Sequence, residues 1–233
     1  MSSMHTIRFP GESEQYRRAR DELLLAELDL RRKIEEVAVL RRQLPLGGVV
    51  PQDYVFEEGA PDLDDRDSVR AVRLSQLFEA DKDSLILYSF MYGPDMADPC
   101  PMCTSLLDGL NGTAVNAAQR LNLAVVAKSP IERIREFARK RGWRHLRLLS
   151  SAQNTFNGDF HGESPDGAQS PSINVFVRRK GRVRHFYAAE GLYVSSEPGQ
   201  DSRHADLLWP LWNLLDLTPD GRGADWYPSL AYD

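Results

Sequence analysis

The chain has 233 residues, a net charge of −5, and 42% hydrophobic against 27% charged residues, which is the balance of a globular protein and not of a disordered one. The mild acidity and the lack of a long basic stretch exclude a nucleic-acid surface as the working reading. No segment approaches the roughly 20 apolar residues that a membrane span needs, and Met1–Pro10 lacks an apolar signal-peptide core. The expected compartment is therefore the cytoplasm, with no membrane partner.

Glu14 to Leu44 reads as one long helix or a helical pair. Tyr16, Ala19, Leu23, Ala26, Leu30, Val37, Leu40 and Leu44 recur at alternating three- and four-residue steps, interrupted by Lys33, and make a narrow apolar seam. At 1.5 Å per residue such a helix is roughly 45 Å long, more than one small domain covers, so a homo-oligomer through this helix is expected. Pro45 and Gly47-Gly48 end it. Val49–Glu57 is expected to form a short strand, Gly59–Asp67 an acidic loop, and Val72–Phe78 an element leading to the turn Asp81-Lys82-Asp83.

Ser84–Tyr92 carries the near-continuous apolar run of a strand covered on both faces. A helix is expected from Cys100 or Pro101, since proline suits a first helical turn. Leu107, Leu110, Ala114, Ala117 and Leu121 would form its inner face, with a kink or break near Asn111-Gly112. Leu123–Ala127 reads as the next buried strand. Ser129-Pro130-Ile131-Glu132 predicts a serine-capped helix with a capping box, ending at Gly142. Leu146–Leu149 is a short strand, Ser150–Ser170 a long irregular stretch, and Ser172–Val177 with Arg182–Ala188 a hairpin. A final helix is expected over Ala205–Leu217, with Leu207, Leu208, Leu211, Leu214 and Leu215 inward. Strands alternating with helices imply a mainly parallel sheet, made mixed by the hairpin.

The chain holds two cysteines, Cys100 and Cys103. In a reducing compartment a pair at this spacing is redox-active or metal-binding more often than structural. At a helix N-terminus, unpaired N–H groups and the helix dipole favour the thiolate of Cys100. Cys103, one turn on, would resolve a mixed disulfide. Zinc would need two more ligands, and His145, His161, His185 and His204 are scattered singly. A copper site would use the pair with His161 or His185. No cofactor is expected. Phe156 and Phe160 read as anchors of their loop or as a substrate wall, and Trp143, Trp209 and Trp212 as packing aromatics.

A strand ending in Leu87-Tyr88-Ser89-Phe90, Cys-Pro-Met-Cys opening a helix, and Ser170-Pro171-Ser172-Ile173 opening a hairpin resemble the thioredoxin superfamily over about Val72–Leu217. More narrowly, the chain resembles the DUF899 family of thioredoxin-like proteins. The matching segments are the Arg/Glu-rich N-terminal helix, Asp53-Tyr54-Val55-Phe56, Phe90-Met91-Tyr92-Gly93-Pro94-Asp95 and the cysteine pair. They continue with Gly142-Trp143-Arg144, Phe156-Asn157-Gly158-Asp159-Phe160 and Leu215-Asp216-Leu217-Thr218-Pro219.

The resemblance implies an α/β thioredoxin-like fold with a mixed central sheet flanked by helices. It divides the chain into an N-terminal helical extension (1–48), a thioredoxin-like domain (49–217) and a tail (218–233). It implies Cys100 and Cys103 as catalytic residues and Ser170 and Pro171 as substrate-binding ones, with Pro171 in the cis form. The implied substrate is a disulfide-containing protein or a small thiol or peroxide, although the Thr/Pro pattern that positions peroxide is missing. The buried acid of thioredoxins falls near Ser89, with Asp95, Asp98 or Asp108 as substitutes. The alternative function is a non-catalytic binding or assembly protein with a vestigial pair.

Overall fold

The computed structural model describes residues 5–198, 203–219 and 227–232. Two compact units, Met1–Pro45 and Leu46–Asp233, divide the chain. In the first, helix α1 spans Glu14–Gln43, its start fixed by Ser13, whose Oγ accepts the Tyr16 N–H at 3.1 Å. Arg41 and Arg42 sit in its last turn, where the dipole favours cations. None of its residues is buried, and Leu23, Leu30 and Leu40 of the seam are exposed.

The second unit is built on a seven-stranded mixed sheet: β1 (Val55–Gly59), β2 (Val69–Arg73), β3 (Ser84–Ser89), β4 (Asn122–Ala127), β5 (Leu148–Ser150), β6 (Ser172–Arg179) and β7 (Arg182–Ala188). Their spatial order is β2-β1-β5-β4-β3-β6-β7. Strands β3, β4 and β5 run parallel, and the remaining pairings are antiparallel. Helix α2 (Pro101–Ala117) links β3 to β4, α3 (Ile131–Arg141) links β4 to β5, and a short α4 (Phe156–Asp159) interrupts the stretch before β6. The architecture is the mixed α/β sheet with an N-terminal helix that the thioredoxin-like layout implies.

Strand alternation divides the core between the two faces. On β3 and β4, Tyr88, Val125 and Ala127 join Leu106, Leu107, Ile134 and Trp143 on one face. Leu85, Leu87, Ala124 and Val126 join Phe56, Phe156 and Phe176 on the other. Phe156 and Phe160 pack at 4.9 Å between ring centres, and Phe160 meets Phe176 at 5.0 Å, so both anchor their loop.

Several elements differ from expectation. The strand expected over Val49–Glu57 begins only at Val55, while Val49 makes an isolated bridge to Arg184. Val69–Arg73 pairs with β1 and hands over to a 3₁₀ turn at Leu74–Leu77. Helix α2 runs unbroken through Gly109 and Gly112, because both lie on its open side while Leu106, Leu107, Leu110 and Ala114 are buried. That burial offsets the ~1 kcal/mol that each glycine costs in a helix. Ser129 does not cap α3. Pro130 is the N-cap residue, and the Ser129 hydroxyl donates to the Gly93 carbonyl at 3.2 Å. Gly142 ends α3 in the left-handed region, at φ 74°.

The expected final helix is interrupted at Pro210, which lacks the N–H that an uninterrupted helix needs. A 3₁₀ turn, His204–Leu207, and α5 (Leu211–Leu215) replace it. The buried side chains there are Trp209 and Trp212, and Leu207 and Leu214 are exposed. Parts of the polar loop and of the tail (199–202 and 220–226) lie outside the described residues, as does the side chain of His204.

Candidate active site

Strand β3 delivers the chain to the cysteine pair and holds it there by backbone bonds. The Phe90 N–H donates to Val126 at 2.8 Å, and the Cys100 N–H donates to the Met91 carbonyl at 3.1 Å. Between them, the loop Gly93–Pro99 is tied down from α3. Arg133 donates to the carbonyls of Gly93 (3.1 Å), Pro94 (3.3 Å) and Ala97 (2.9 Å), and also to that of Met96. A loop whose carbonyls would otherwise need water is thereby satisfied by one guanidinium. Cys100 is the N-cap of α2 with Pro101 behind it, and its carbonyl accepts the Thr104 hydroxyl at 2.9 Å.

The two sulfurs have opposite environments. Both are free thiols; Cys100 is partly exposed and Cys103 is buried. The Cys100 thiol is lowered from its ordinary 9.0 to about 6, chiefly by its hydrogen bond with Cys103. Burial opposes this, and the N–H groups of Cys103 and Met102 at the start of α2 reinforce it. Cys103 is pushed well up by the Cys100 sulfur and by burial, against hydrogen bonds from the Tyr88 hydroxyl and the Met91 N–H. Both shifts favour the thiolate at Cys100 over that at Cys103.

Tyr88 is the residue of β3 that faces the pair. Its hydroxyl is buried and, mainly through that burial, resists ionisation. Ser89, aligned with the thioredoxin acid, follows Leu85 and Leu87 onto the opposite face, where its Oγ lies beside Gly162. The acids expected to substitute are elsewhere. Asp95 and Asp98 are exposed, and Asp108 accepts the Trp143 indole N–H at 2.7 Å and pairs with Arg141. Among the described residues no carboxylate contributes to the shift of Cys100. Sequence reasoning missed Tyr88, although its position one step out of phase with Leu85 and Leu87 was the available signal.

A cavity of 270 Å³ opens on the sulfurs, with Tyr88, Met91, Met102 and Leu106 on one side. Pro171 lines it from the start of β6, and Leu192, Ala205, Trp209 and Tyr227 close it from the C-terminal segment. Those last four were not anticipated as site residues, since nothing in their spacing links them to the cysteines. The Ser170–Pro171 bond corrects an expectation. No cis peptide occurs among the described residues, and the proline ring reaches the cavity with its bond in the trans form, which is favoured by about 0.5–1 kcal/mol.

Ser170 does not line the cysteine cavity. It lines a second one of 830 Å³ together with His161 and Tyr193. His161 and His185 line a further cavity of 730 Å³, so neither completes a copper site with the cysteines. His161 holds a left-handed φ of 58°. Among the described residues no group of three His, Cys, Asp or Glu side chains is placed to hold a metal, and no helix is long and apolar enough to cross a membrane.

Solved structures similar to this chain include a peroxidoxin, BcpB, from Mycobacterium tuberculosis, at 18% identity over 71% of this chain and 94% of that one, with a TM-score of 0.43. Thioredoxin peroxidase I from Plasmodium yoelii is 14% identical over 81% of this chain and 99% of that one, with a TM-score of 0.44. The exposed lipoprotein thioredoxin Etrx1 of Streptococcus pneumoniae is 13% identical over 66% and 95%, with a TM-score of 0.40. Likeness at this level says nothing of what this chain acts on. No curated protein matches the chain. The family described as "Bacterial protein of unknown function (DUF899)" matches residues 6–232, nearly the whole length over which the N-terminal helix, the cysteine pair and the C-terminal motifs are spread, and the chain belongs to that family.

Proposed function

We propose that the protein is a thiol–disulfide oxidoreductase in which Cys100 is the attacking nucleophile and Cys103 the resolving thiol. The observation that carries this reading is the placement of the pair at the head of α2, where both residues line one cavity with Cys100 partly exposed and Cys103 buried; Cys100 lowered to about 6 and Cys103 raised agree with it. A thiol titrating slightly below ambient pH is ionised yet remains a good nucleophile. The pair also resets itself. The largest influence holding the proton on Cys103 is the Cys100 sulfur, and that influence goes once Cys100 is bonded to a substrate sulfur. Tyr88 and the Met91 N–H then remain to stabilise the Cys103 thiolate for its attack on the mixed disulfide. Pro171 forms part of the wall against which the substrate lies. The chemistry suits a reducing compartment such as the cytoplasm, and a small peroxide is the other oxidant such a thiolate attacks.

Alkylation of the reduced protein across pH tests this. The Cys100 rate should rise through a midpoint near 6 and lose that midpoint in Cys100→Ser. Cys103→Ala, which has no donor, should move it upward, because the largest lowering influence is gone. Cys100→Ser should also abolish disulfide reduction. A Cys100 midpoint at the ordinary value, with no turnover of any disulfide or peroxide, would overturn the reading. The exposed seam of α1 favours a second one, a binding or assembly protein with a vestigial pair, whose helix joins a second copy of the chain.

A further inference from the structure

The cysteine cavity differs from the other large cavities in what lines it. His161 and Glu163 line one neighbour, and Asp159, His185 and Glu190 another. Around the cysteines no charged side chain lines the wall among the described residues. Met102, Leu106, Leu192, Trp209 and Tyr227 line the cavity together with the cysteines. Trp209 is buried and braced edge-on by Trp212 at 5.0 Å between ring centres, which fixes one wall. Methionine side chains are flexible and polarisable, and adapt to whatever apolar group arrives. At 270 Å³ the space lies just below the roughly 300 Å³ at which drug-sized pockets begin, so the group that enters is small.

We infer that the oxidant of this site is a small, uncharged, apolar disulfide, R–S–S–R, and that charged disulfides are excluded by the cavity wall. The inference rests on the oxidoreductase reading and adds the substrate class. A charged R group entering this space gives up its hydration and meets only the attacking thiolate, with no charged wall side chain among the described residues to hold it, whereas an apolar one is driven in by leaving water. In the first step the Cys100 thiolate attacks one sulfur, a Cys100–S–R bond forms, and R–S⁻ leaves and takes up a proton. In the second step Cys103 gives up its proton and attacks the Cys100 sulfur, the internal disulfide forms, and the second R–S⁻ leaves. Two protein thiols are oxidised to one disulfide as R–S–S–R is reduced to two R–SH, and a dithiol reductant restores the pair.

The test uses the full reduced chain and three symmetric disulfides of similar size: diethyl disulfide, the dication cystamine and the dianion dithiodiglycolate. Each single-turnover oxidation rate is divided by the rate of the same disulfide with free 2-mercaptoethanol, which removes intrinsic reactivity. The normalised rate for diethyl disulfide should exceed both charged ones by at least about tenfold. Tyr227→Lys, at the exposed edge of the cavity, should raise the dianion's rate selectively without threatening the fold. Equal normalised rates overturn the selectivity and leave the oxidoreductase reading standing. A selective wild type with an unmoved dianion rate in Tyr227→Lys removes the assignment to this cavity. Failure of all three disulfides to oxidise the pair removes the oxidoreductase reading itself.

Discussion

The guanidinium carbon of Arg133 lies 4.2 Å from the centre of the Tyr92 ring, while the nitrogens of the same group hold the carbonyls of the loop before Cys100. One side chain of α3 thus stacks on the chain entering the cysteine loop and ties down the loop itself. Arg133→Ala should cost about 2–3 kcal/mol by removing charge-assisted hydrogen bonds from partly buried carbonyls. Arg133→Lys should restore only part of this, because an ammonium lacks the planar fork. Urea denaturation measures the loss, and an Arg133→Lys protein as stable as wild type would show that charge alone suffices.

The buried Tyr88 hydroxyl shares the cavity with Cys103 and lowers its titration against burial, so Tyr88→Phe removes a stabilising influence on the resolving thiolate without changing the ring's packing. With neutral 4,4′-dithiodipyridine, thiopyridone is released in two phases, the first from attack by Cys100 and the second from Cys103. The first should be unchanged and the second about tenfold slower, as expected for one hydrogen bond to a charged group. Equal slowing of both phases would indicate a general structural effect.

The pair sets a pH dependence of stability with a definite sign. Cys100 titrates at about 6 in the folded protein against an ordinary 9.0. Between those values the unfolded chain holds a proton that the folded one has released. Stability from Cys100 therefore grows with pH across that window and is lost as pH falls through the folded value. Cys103 titrates above its ordinary value, so beyond pH 9.0 the folded protein keeps a proton that the unfolded chain gives up, and stability declines again. The urea midpoint of the reduced protein, minus that of Cys100→Ser/Cys103→Ser, should peak near pH 9. A difference that does not vary with pH would contradict the assignment.

At the far side of the sheet, Glu58 is buried and accepts from Arg147 Nε at 2.6 Å and Arg70 Nη2 at 2.8 Å. Burial pushes its carboxyl up, but Arg147 and then Arg70 outweigh it, and the group titrates below its ordinary 4.5. Glu58→Gln should cost about 2 kcal/mol, below the roughly 3–5 kcal/mol for breaking a fully buried pair, because Arg70 is largely exposed. The carboxylate's contribution is present above pH 4.5 and lost as pH falls through the depressed value. The gap between wild type and variant should therefore narrow in acid, as urea midpoints at pH 7 and pH 3 would report.

Which features were legible follows from the range over which each is determined. The β3–α2 unit and the hairpin rest on local patterns: an apolar run, a proline in a first turn, a two-residue Lys180-Gly181 connection. The cysteine pair is legible for the same reason, since one helical turn brings its sulfurs together. Ser129 was misread because its hydroxyl found a carbonyl far along the chain in place of the neighbouring N–H groups. The final helix was misread because its leucines match a helical period, whereas the aromatic side chains buried there are Trp209 and Trp212 and the helix is interrupted at Pro210, which lacks an N–H. Ser89 stood in for Tyr88 because alignment by family position overrode the simpler alternation of the strand.

The wall formed by Trp209 and Tyr227 has a consequence for how the protein is made. Strand β3 and helix α2 leave the ribosome well before the residues that close over them, and domains fold as the chain emerges. On the proposed reading, Cys100 stands uncovered until those later residues are made, and discrimination among oxidants is acquired only once they have packed over it.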